Sequence, residues 1–295
     1  MVIPCYNGER FIVRCLESLF GQTVPADEIV IVDDGSTDRT VDVAKQYPVM
    51  IVKHGRNMGR AHALNTGVRA ARCEIVSFLD ADCEAERHYL EYTAEDFEND
   101  APCVGVSGQE ILASVRGVVN RFRAARRLAW GDRKVVNPEF IGGVSSYRRS
   151  VLLKVGLYDT TFRYGEDVDM SLRLRRLGFR LLYDPRIKFC HHRSDNIPSL
   201  LDLTYRAVYY GHLAKLKNGV ATERESTFTA SMAFTWLRNY VKRFKSEGLA
   251  RLPMLPLTVP VQTLAVVKAR KDWAKTIAIP RQLRSDVIDN LADIG

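Results

Sequence analysis

The first hundred residues alternate at short intervals between apolar runs and helix-like segments, and nothing else in the chain limits its possible folds as strongly. Residues 2–5, 28–32, 49–52 and 75–79 are short β-branched or apolar runs of strand type. Helical patterns occupy 10–20, 37–47, 60–71 and 86–97. Strand–helix alternation of this kind predicts a parallel, doubly wound sheet covered on both faces. Ligands of such sheets bind at the carboxyl ends of the strands. Each run here ends in loop-forming polar residues, in turn YNG, DDGS, KHGRN and DAD. Four such loops gathered on one edge would make one site.

After about residue 100 the pattern changes. A strand is predicted over 104–109, followed by a basic, helix-like segment, 116–134, with Arg121, Arg123, Arg126, Arg127, Arg133 and Lys134. Beyond EFIGGVSSYRRS come a short helix over 150–155 and a longer one over 166–177, with Gly178 placed as its cap and a strand over 180–183. The tail past 198 reads as helices over 199–217, 227–245 and 262–277.

A net charge of +8 points to anionic partners such as nucleic acid, a phospholipid surface or a phosphorylated substrate. Nucleic acid is excluded by the absence of any recognition motif with aromatics among the basic residues, and by acids at 33–34, 80–82 and 166–169 that would repel phosphate unless a metal intervened. The six cysteines, Cys5, Cys15, Cys73, Cys83, Cys103 and Cys190, form no CxxC pair and no Cys/His zinc spacing. They read as reduced and buried, which predicts a cytoplasmic protein. The opening MVIPCYNG lacks the basic leader of a signal peptide. The apolar run 252–267 is 16 residues long and holds Pro253, Pro256 and Pro260, short of the roughly 20 residues that a spanning helix needs. Together with the basic segment it suits the anionic surface of a membrane instead, which would make the protein peripheral on the cytoplasmic face.

Several loops carry groups able to do chemistry. In PCYNGE, Pro4 fixes the backbone and Tyr6 sets an aromatic face beside the Asn7 amide, a set that can hold a planar base but is also common in loops. Asp33 and Asp34 leave a strand before Gly35, as a capped turn or as carboxylates for a base N–H. Lys53, Arg56 and Arg60 surround two glycines at a helix start, where cations and N–H groups suit a pyrophosphate. Asp80 and Asp82, two apart on an extended segment, point the same way, so they are either a clamp for Mg²⁺ or Mn²⁺ or a polar turn. Cys83 beside them reads as packing. Glu166, Asp167 and Asp169 crowd a helix start, where the dipole favours acids and where a carboxylate can also act as a general base. His191 and His192, adjacent at a strand end, point to opposite faces, so one of them can reach a metal or phosphate.

In order and spacing, VIPCYNGERF, EIVIVDDGSTDRT, NMGRAHALNTG, EIVSFLDADC and GEDVDMSLRLRRLGFR closely resemble the family 2 inverting glycosyltransferases of GT-A fold, of the bacterial or archaeal type that adds a single sugar. The resemblance covers roughly residues 1–195. It implies a GT-A, Rossmann-like α/β domain over 1–195, with a nucleotide-sugar half (1–100) and an acceptor half (101–195), and a helical extension over 196–295. The reaction implied is metal-dependent transfer of one sugar from a nucleotide diphosphate, a UDP-sugar favoured, to a hydroxyl of a lipid-linked or polysaccharide glycan. By the family's pattern Pro4, Tyr6, Asn7 and Glu9 line the nucleotide pocket, Asp34 pairs with the base, and Arg60 approaches the phosphates. Asp80 contacts ribose or metal, while Asp82 is the direct ligand of Mn²⁺ or Mg²⁺, with His191 or His192 completing the metal contacts. Gly142 and Gly143 line the acceptor side, Glu166 is a substrate-binding residue, and Asp167 next to it is the base. Polyprenyl-phosphate sugar synthases share the first motifs, but their acceptor is already ionised and needs no base, so GEDVD favours a hydroxyl acceptor. The processive members' QxxRW-type motif does not occur in the sequence. A non-catalytic anion-binding relative stays an alternative, although every expected acid is present. Met1 falls inside the first strand, where family members usually carry a few more residues.

Overall fold

The computed structural model describes residues 1–113, 119–120, 131–192, 196–220 and 255–277. Arg121, Arg123, Arg126 and Arg127 of the basic segment, and the helix expected over 227–245, lie outside the described residues.

Strands β1 (Val2–Cys5), β2 (Val30–Asp33) and β3 (Met50–Lys53) pair in parallel, with Val2 opposite Val30 and Val30 opposite Met50. β4 (Ile75–Ser77) joins the free edge of β1 through a parallel bridge between Val2 and Phe78, where Leu79 N donates to Val2 O at 3.1 Å. The parallel expectation therefore holds for the first four strands. Helix α1 (Ile12–Phe20) covers one face, with Ile12, Cys15, Leu16 and Leu19 recurring at helical spacing and at most 1% exposed. Burying each aliphatic side chain of that stripe contributes about 1.5–3 kcal/mol. Helix α2 (Thr40–Ala44) is a short turn beside α1, while α3 (Arg60–Ala70) covers the other face with Ala61, Ala63, Leu64 and Val68.

The second half is mixed. β5 (Cys83–Ala85), β6 (Cys103–Leu112), β7 (Val135–Val136), β8 (Ser145–Arg148) and β9 (Arg180–His191) extend the sheet in the order β4-β8-β6-β9-β5, with β7 on β9. β6 and β9 are parallel, whereas β8 runs against both of its neighbours and β5 runs against β9. Helix α4 (Tyr89–Asn99) backs β6 and β9, and α5 (Arg149–Lys154) follows β8. The two main core clusters each mix the halves, one joining Ile3 and Ile31 to Val106 and Leu182, the other joining Val2 and Val32 to Val104 and Leu181.

β9 outruns its expected end at Tyr183 by eight residues, because a bulge lodges Pro185 where no ladder donor is needed. Across the bulge Gly108 of β6 lies so close to β9 that a Cβ there would fall 1.9 Å from Ile187 O, so no other residue fits. Helix α6 (Glu166–Arg176) carries Glu166, Asp167 and Asp169 in its first turn and Arg173, Arg175 and Arg176 in its last, each sign at its favoured end of the dipole. Gly178 caps it as the spacing predicts, with Phe179 N donating to Leu174 O.

Helix α7 (Ile197–Lys217) starts with a capping box between Asn196 and Ser199. It packs on α6 through Phe162, Leu172 and Ala214. Asp169, fully buried, accepts from Arg173 Nε (2.9 Å), Lys217 Nζ (2.9 Å) and Asn218 Nδ2 (3.0 Å), so the C-terminal end of α7 is tied to the first turn of α6. Helix α8 (Leu255–Ile277) lies along α7 with Ala265 and Ala269 buried, Tyr209 Oη donating to Asp272 at 2.7 Å and Arg270 Nε to His212 at 2.9 Å. Its start precedes the expected 262 because Pro256 sits in the first turn, where a proline has no bond to lose, and the helix forgoes one ladder bond at Pro260. Among the described residues no helix is long and apolar enough to cross a membrane.

Candidate active site

The loops after β1, β2, β3 and β4 line a cavity of about 230 Å³ bounded by Pro4, Tyr6, Asp34, Gly59, Arg60 and Asp80. The two acids of DDGS divide their work. Asp33 Oδ1 accepts from Ser36 N (3.1 Å) and closes the turn. Asp34 faces the cavity and takes the N–H groups of Met58 (3.0 Å) and Gly59 (2.7 Å), with His54 Nδ1 at 2.6 Å. The anion at the start of α3 is thus a carboxylate of the chain itself. Tyr6 is 49% exposed, which leaves it open for stacking. Asn7 and Glu9 do not line this cavity; Asn7 Oδ1 accepts from Thr37 N (2.8 Å) and Glu9 Oε2 from Arg39 N (3.1 Å), lacing the first loop to the second.

Arg60, first residue of α3, lines this cavity and a second of about 550 Å³. Its Nε and Nη2 donate to Asp80 Oδ1 at 3.0 and 2.8 Å, Nη2 also to Gly143 O at 3.0 Å, and Nη1 to Glu166, 5% exposed. One guanidinium therefore holds the DAD loop, the Gly142-Gly143 loop and the start of α6 together. Gly143 leaves the guanidinium this position, since a Cβ there would lie 2.8 Å from Arg60 Nη2 and push it aside. Gly143→Ala is expected to push the Arg60 guanidinium aside by several tenths of an ångström and to lower kcat/KM by up to the order of 10²-fold that a misplacement of about an ångström costs; steady-state kinetics check it, and an unchanged value would show that the arginine has slack.

The larger cavity is lined by Asp80, Asp82, Glu110, Gly142, Gly143, Glu166, Asp167 and His191, and by Leu200, Leu203 and Ala207 of α7. β5 explains how Asp82 and His191, far apart in sequence, meet. It runs antiparallel to the end of β9 with Cys83 opposite His191, and His192 N donates to Asp82 O at 2.9 Å. His191 Nε2 then lies 3.0 Å from Asp82 Oδ2, and its Nδ1 3.0 Å from Glu110 Oε1. His192 turns to the other face, as adjacent strand residues do, and meets Glu84 at 2.8 Å. A carboxylate and an imidazole facing each other fit a divalent ion of the manganese type. Asp80 stands outside that group, because Arg60 engages it.

Asp167 is half-buried on the same cavity wall, with Oδ1 accepting from Val168 N at 2.8 Å. Burial, then the Glu166 carboxylate beside it, pushes its carboxyl up to about 7, with Arg60 pulling the other way. A carboxyl tuned near neutrality can accept a proton from a hydroxyl.

Glu110, His54 and the apolar α7 wall escape a reading of the sequence. Glu110 is an acid inside a long strand, and only its pairing with His191 marks it. The Asp34–His54 contact depends on β3 lying next to β2.

Residues 1–156 match the profile of Glycosyl transferase family 2. Poly-beta-1,6-N-acetyl-D-glucosamine synthase of Staphylococcus epidermidis is 28% identical over 196 residues, which are 63% of this chain and 47% of that protein. The chain thus spans about half the length of the curated relatives it matches. Among solved structures, the mannosyltransferase PcManGT from Pyrobaculum calidifontis, in complex with GDP-Man and Mn²⁺, aligns with a TM-score of 0.60 at 18% identity, covering 99% of this chain and 79% of that one. TarS 1-349 of S. aureus, in complex with UDP-GlcNAc, aligns with a TM-score of 0.56 at 14% identity over 93% and 91%. The fold is that of the GT-A glycosyltransferases.

Proposed function

Since the chain belongs to Glycosyl transferase family 2, we propose that it moves a single sugar, with inversion, from a nucleotide diphosphate, a UDP-sugar favoured, to a hydroxyl of a glycan or lipid-linked acceptor. The observation that carries this reading is Asp167, its carboxyl raised to about 7, in one cavity with Asp82 and His191. The ligands named with the structural neighbours, UDP-GlcNAc in TarS and GDP-Man with Mn²⁺ in PcManGT, support a nucleotide-sugar donor.

In this reading the base and ribose occupy the smaller cavity, stacked on Tyr6 with Asp34 facing the base. Asp82 and His191 would hold Mn²⁺ or Mg²⁺, which when bound neutralises charge on the departing diphosphate. Arg60 fixes Asp80 and Glu166 at the junction of the two cavities, so the donor's sugar enters the larger one in a single orientation. Asp167 takes the proton from an acceptor hydroxyl aligned opposite the leaving group, and the anomeric carbon passes through an oxocarbenium-like state. One displacement inverts that centre, so one base suffices. An acceptor already ionised, as in polyprenyl-phosphate sugar synthesis, would need no base and would meet five carboxylates (Asp80, Asp82, Glu110, Glu166 and Asp167) on the cavity wall. A hydroxyl fits that wall better.

We assign residues 1–195 to the catalytic domain, with α7 completing its acceptor wall, and the extension from 196 to contact with an anionic membrane on the cytoplasmic side. On α8, Leu264 (62% exposed) and Val267 (37% exposed) lie on one helical face with exposed Lys268 and Lys271, a mixture that suits such a surface. Recovery of the protein wholly in the low-salt soluble fraction would sink the membrane assignment.

The donor is tested by measuring nucleotide-sugar hydrolysis and product length with Mn²⁺ or Mg²⁺. Asp82→Ala is expected to remove turnover and to weaken metal-dependent UDP binding by more than about tenfold, read by calorimetry with and without metal. Full activity in Asp82→Ala would overturn the site.

A further inference from the structure

Asp34 faces the smaller cavity with most of its capacity to accept already taken. An ionised carboxylate offers about four acceptor positions, roughly two per oxygen. Oδ1 accepts from Met58 N at 3.0 Å and from His54 Nδ1 at 2.6 Å, while Oδ2 accepts only from Gly59 N at 2.7 Å. A single position, on Oδ2, is left for a ligand. Two of these donors are backbone N–H groups at the start of α3, and the third is the His54 ring. His54 follows β3, where its backbone N donates to Asp33 O at 2.8 Å, and its Nε2 meets Thr66 Oγ1 of α3 at 2.9 Å. Its side chain is 10% exposed and does not line the cavity. A carboxylate only accepts, so the ring nitrogen that faces it carries the proton. The imidazole therefore stands behind Asp34 and acts on a ligand only through it.

Nucleobases differ in what they ask of such a group. Uracil presents one ring N–H between two carbonyls. Guanine presents a ring N–H and an amino N–H side by side, and the pair needs both oxygens of one carboxylate. Cytosine and adenine have a bare ring nitrogen at the matching place, which a carboxylate repels. We propose that His54 is a positioning residue that selects the base: by filling Oδ1 of Asp34 it leaves one acceptor, which takes a uracil-type base and turns guanine away. The inference rests on the nucleotide-sugar reading above, with the base against Asp34, and deepens it by naming the side chain that sets the choice. Guanine in this place would leave its amino group unpaired, and unpaired polar groups are what sites of this kind discriminate against most strongly.

Calorimetry of the full chain with UDP, GDP and inosine diphosphate, each with Mn²⁺, tests this. The three share ribose and diphosphate, and inosine diphosphate is GDP without the amino group, so the ratios isolate the base edge. The wild type is expected to bind UDP most tightly, and inosine diphosphate about tenfold more tightly than GDP, the scale of one buried donor left unmade. His54→Ala opens Oδ1, and the gap between inosine diphosphate and GDP is expected to close to within about threefold. His54→Asn sets an amide N–H where the Nδ1 proton stood and is expected to keep the gap. A histidine that served the fold alone would weaken all three nucleotides equally when replaced. GDP bound by the wild type as tightly as inosine diphosphate, a gap unchanged in His54→Ala, or a gap lost in His54→Asn overturns the assignment. If the variants do not fold, the wild type decides with a UDP methylated at the uracil ring N–H, which is expected to bind at least about tenfold more weakly than UDP; equal binding overturns the assignment. Sugar transfer is measured alongside. Base selection without transfer removes the glycosyl-transfer reading and leaves the role of His54; transfer from UDP- and GDP-sugars at equal rates does the reverse.

Discussion

Asp167→Asn is expected to lower sugar transfer by about 10²–10⁴-fold, the range supplied by a positioned general base, while nucleotide binding stays within a few-fold of the wild type. The amide keeps the size and the Val168 contact of the carboxylate but cannot take a proton. The wild type also predicts its own pH dependence. Asp167 works ionised, and burial together with Glu166 puts its carboxyl at about 7, so kcat/KM should fall as the pH drops through 7. The stability consequence has the opposite sense. A carboxyl raised by folding binds its proton more tightly in the folded chain than in the unfolded one, so stability declines as pH rises from the ordinary carboxyl range to about 7. Asp167→Asn escapes that decline and should melt higher than the wild type at pH 8, with the difference vanishing near pH 4. An inactive variant that is more stable at alkaline pH is the signature of a strained functional group; equal transfer rates in the two proteins would remove Asp167 from the reaction.

Asp169→Ala, two residues along the same helix, is expected to act on the fold instead. Asp169 is fully buried and receives Arg173, Lys217 and Asn218, so truncation leaves two cations beside an empty acceptor position. Removing one partner of a buried charge cluster typically costs about 3–5 kcal/mol, which for a domain of this size lowers Tm by on the order of 10 °C. Calorimetry of the full chain checks this, and a drop below about 2 °C would mean that the cluster is solvated and contributes little. In the proposed reading, two acids of one helical turn thus serve chemistry and architecture separately, and only burial and partners tell them apart.

The sequence made the nucleotide half legible because its signals are local. The β-branched runs that became β1 to β4 and the i, i+3, i+4, i+7 stripe of α1 need no knowledge of distant residues. β5 gave no such signal, since three residues with a glutamate in the middle have no periodicity to read, yet its pairing with β9 brings Asp82 to His191. Pro185 hides the length of β9 from the sequence, because a proline in a strand run usually ends it and the bulge facing Gly108 absorbs it here. Family likeness carried Asp82, Asp167 and His191 as residue types, but not the partners that decide what each can do. Arg60 takes Asp80 out of the metal-capable group, Asn7 and Glu9 spend their side chains on the neighbouring loop, and Glu110 enters beside His191. Each of these depends on tertiary pairing that no sequence window contains.

Helix α7 supplies Leu200, Leu203 and Ala207 to the larger cavity and ends in Lys217, held by Asp169 on the helix that bears Asp167. In the proposed reading, the apolar part of the acceptor wall would thus be borne by one segment outside the stretch 1–156 that matches the family profile. Inheritance can therefore revise that wall residue by residue while the donor machinery stays as it is. In that reading the Asp169–Lys217 tether would keep each revised wall in register with Asp167, so a lineage would change whom it glycosylates without relearning how.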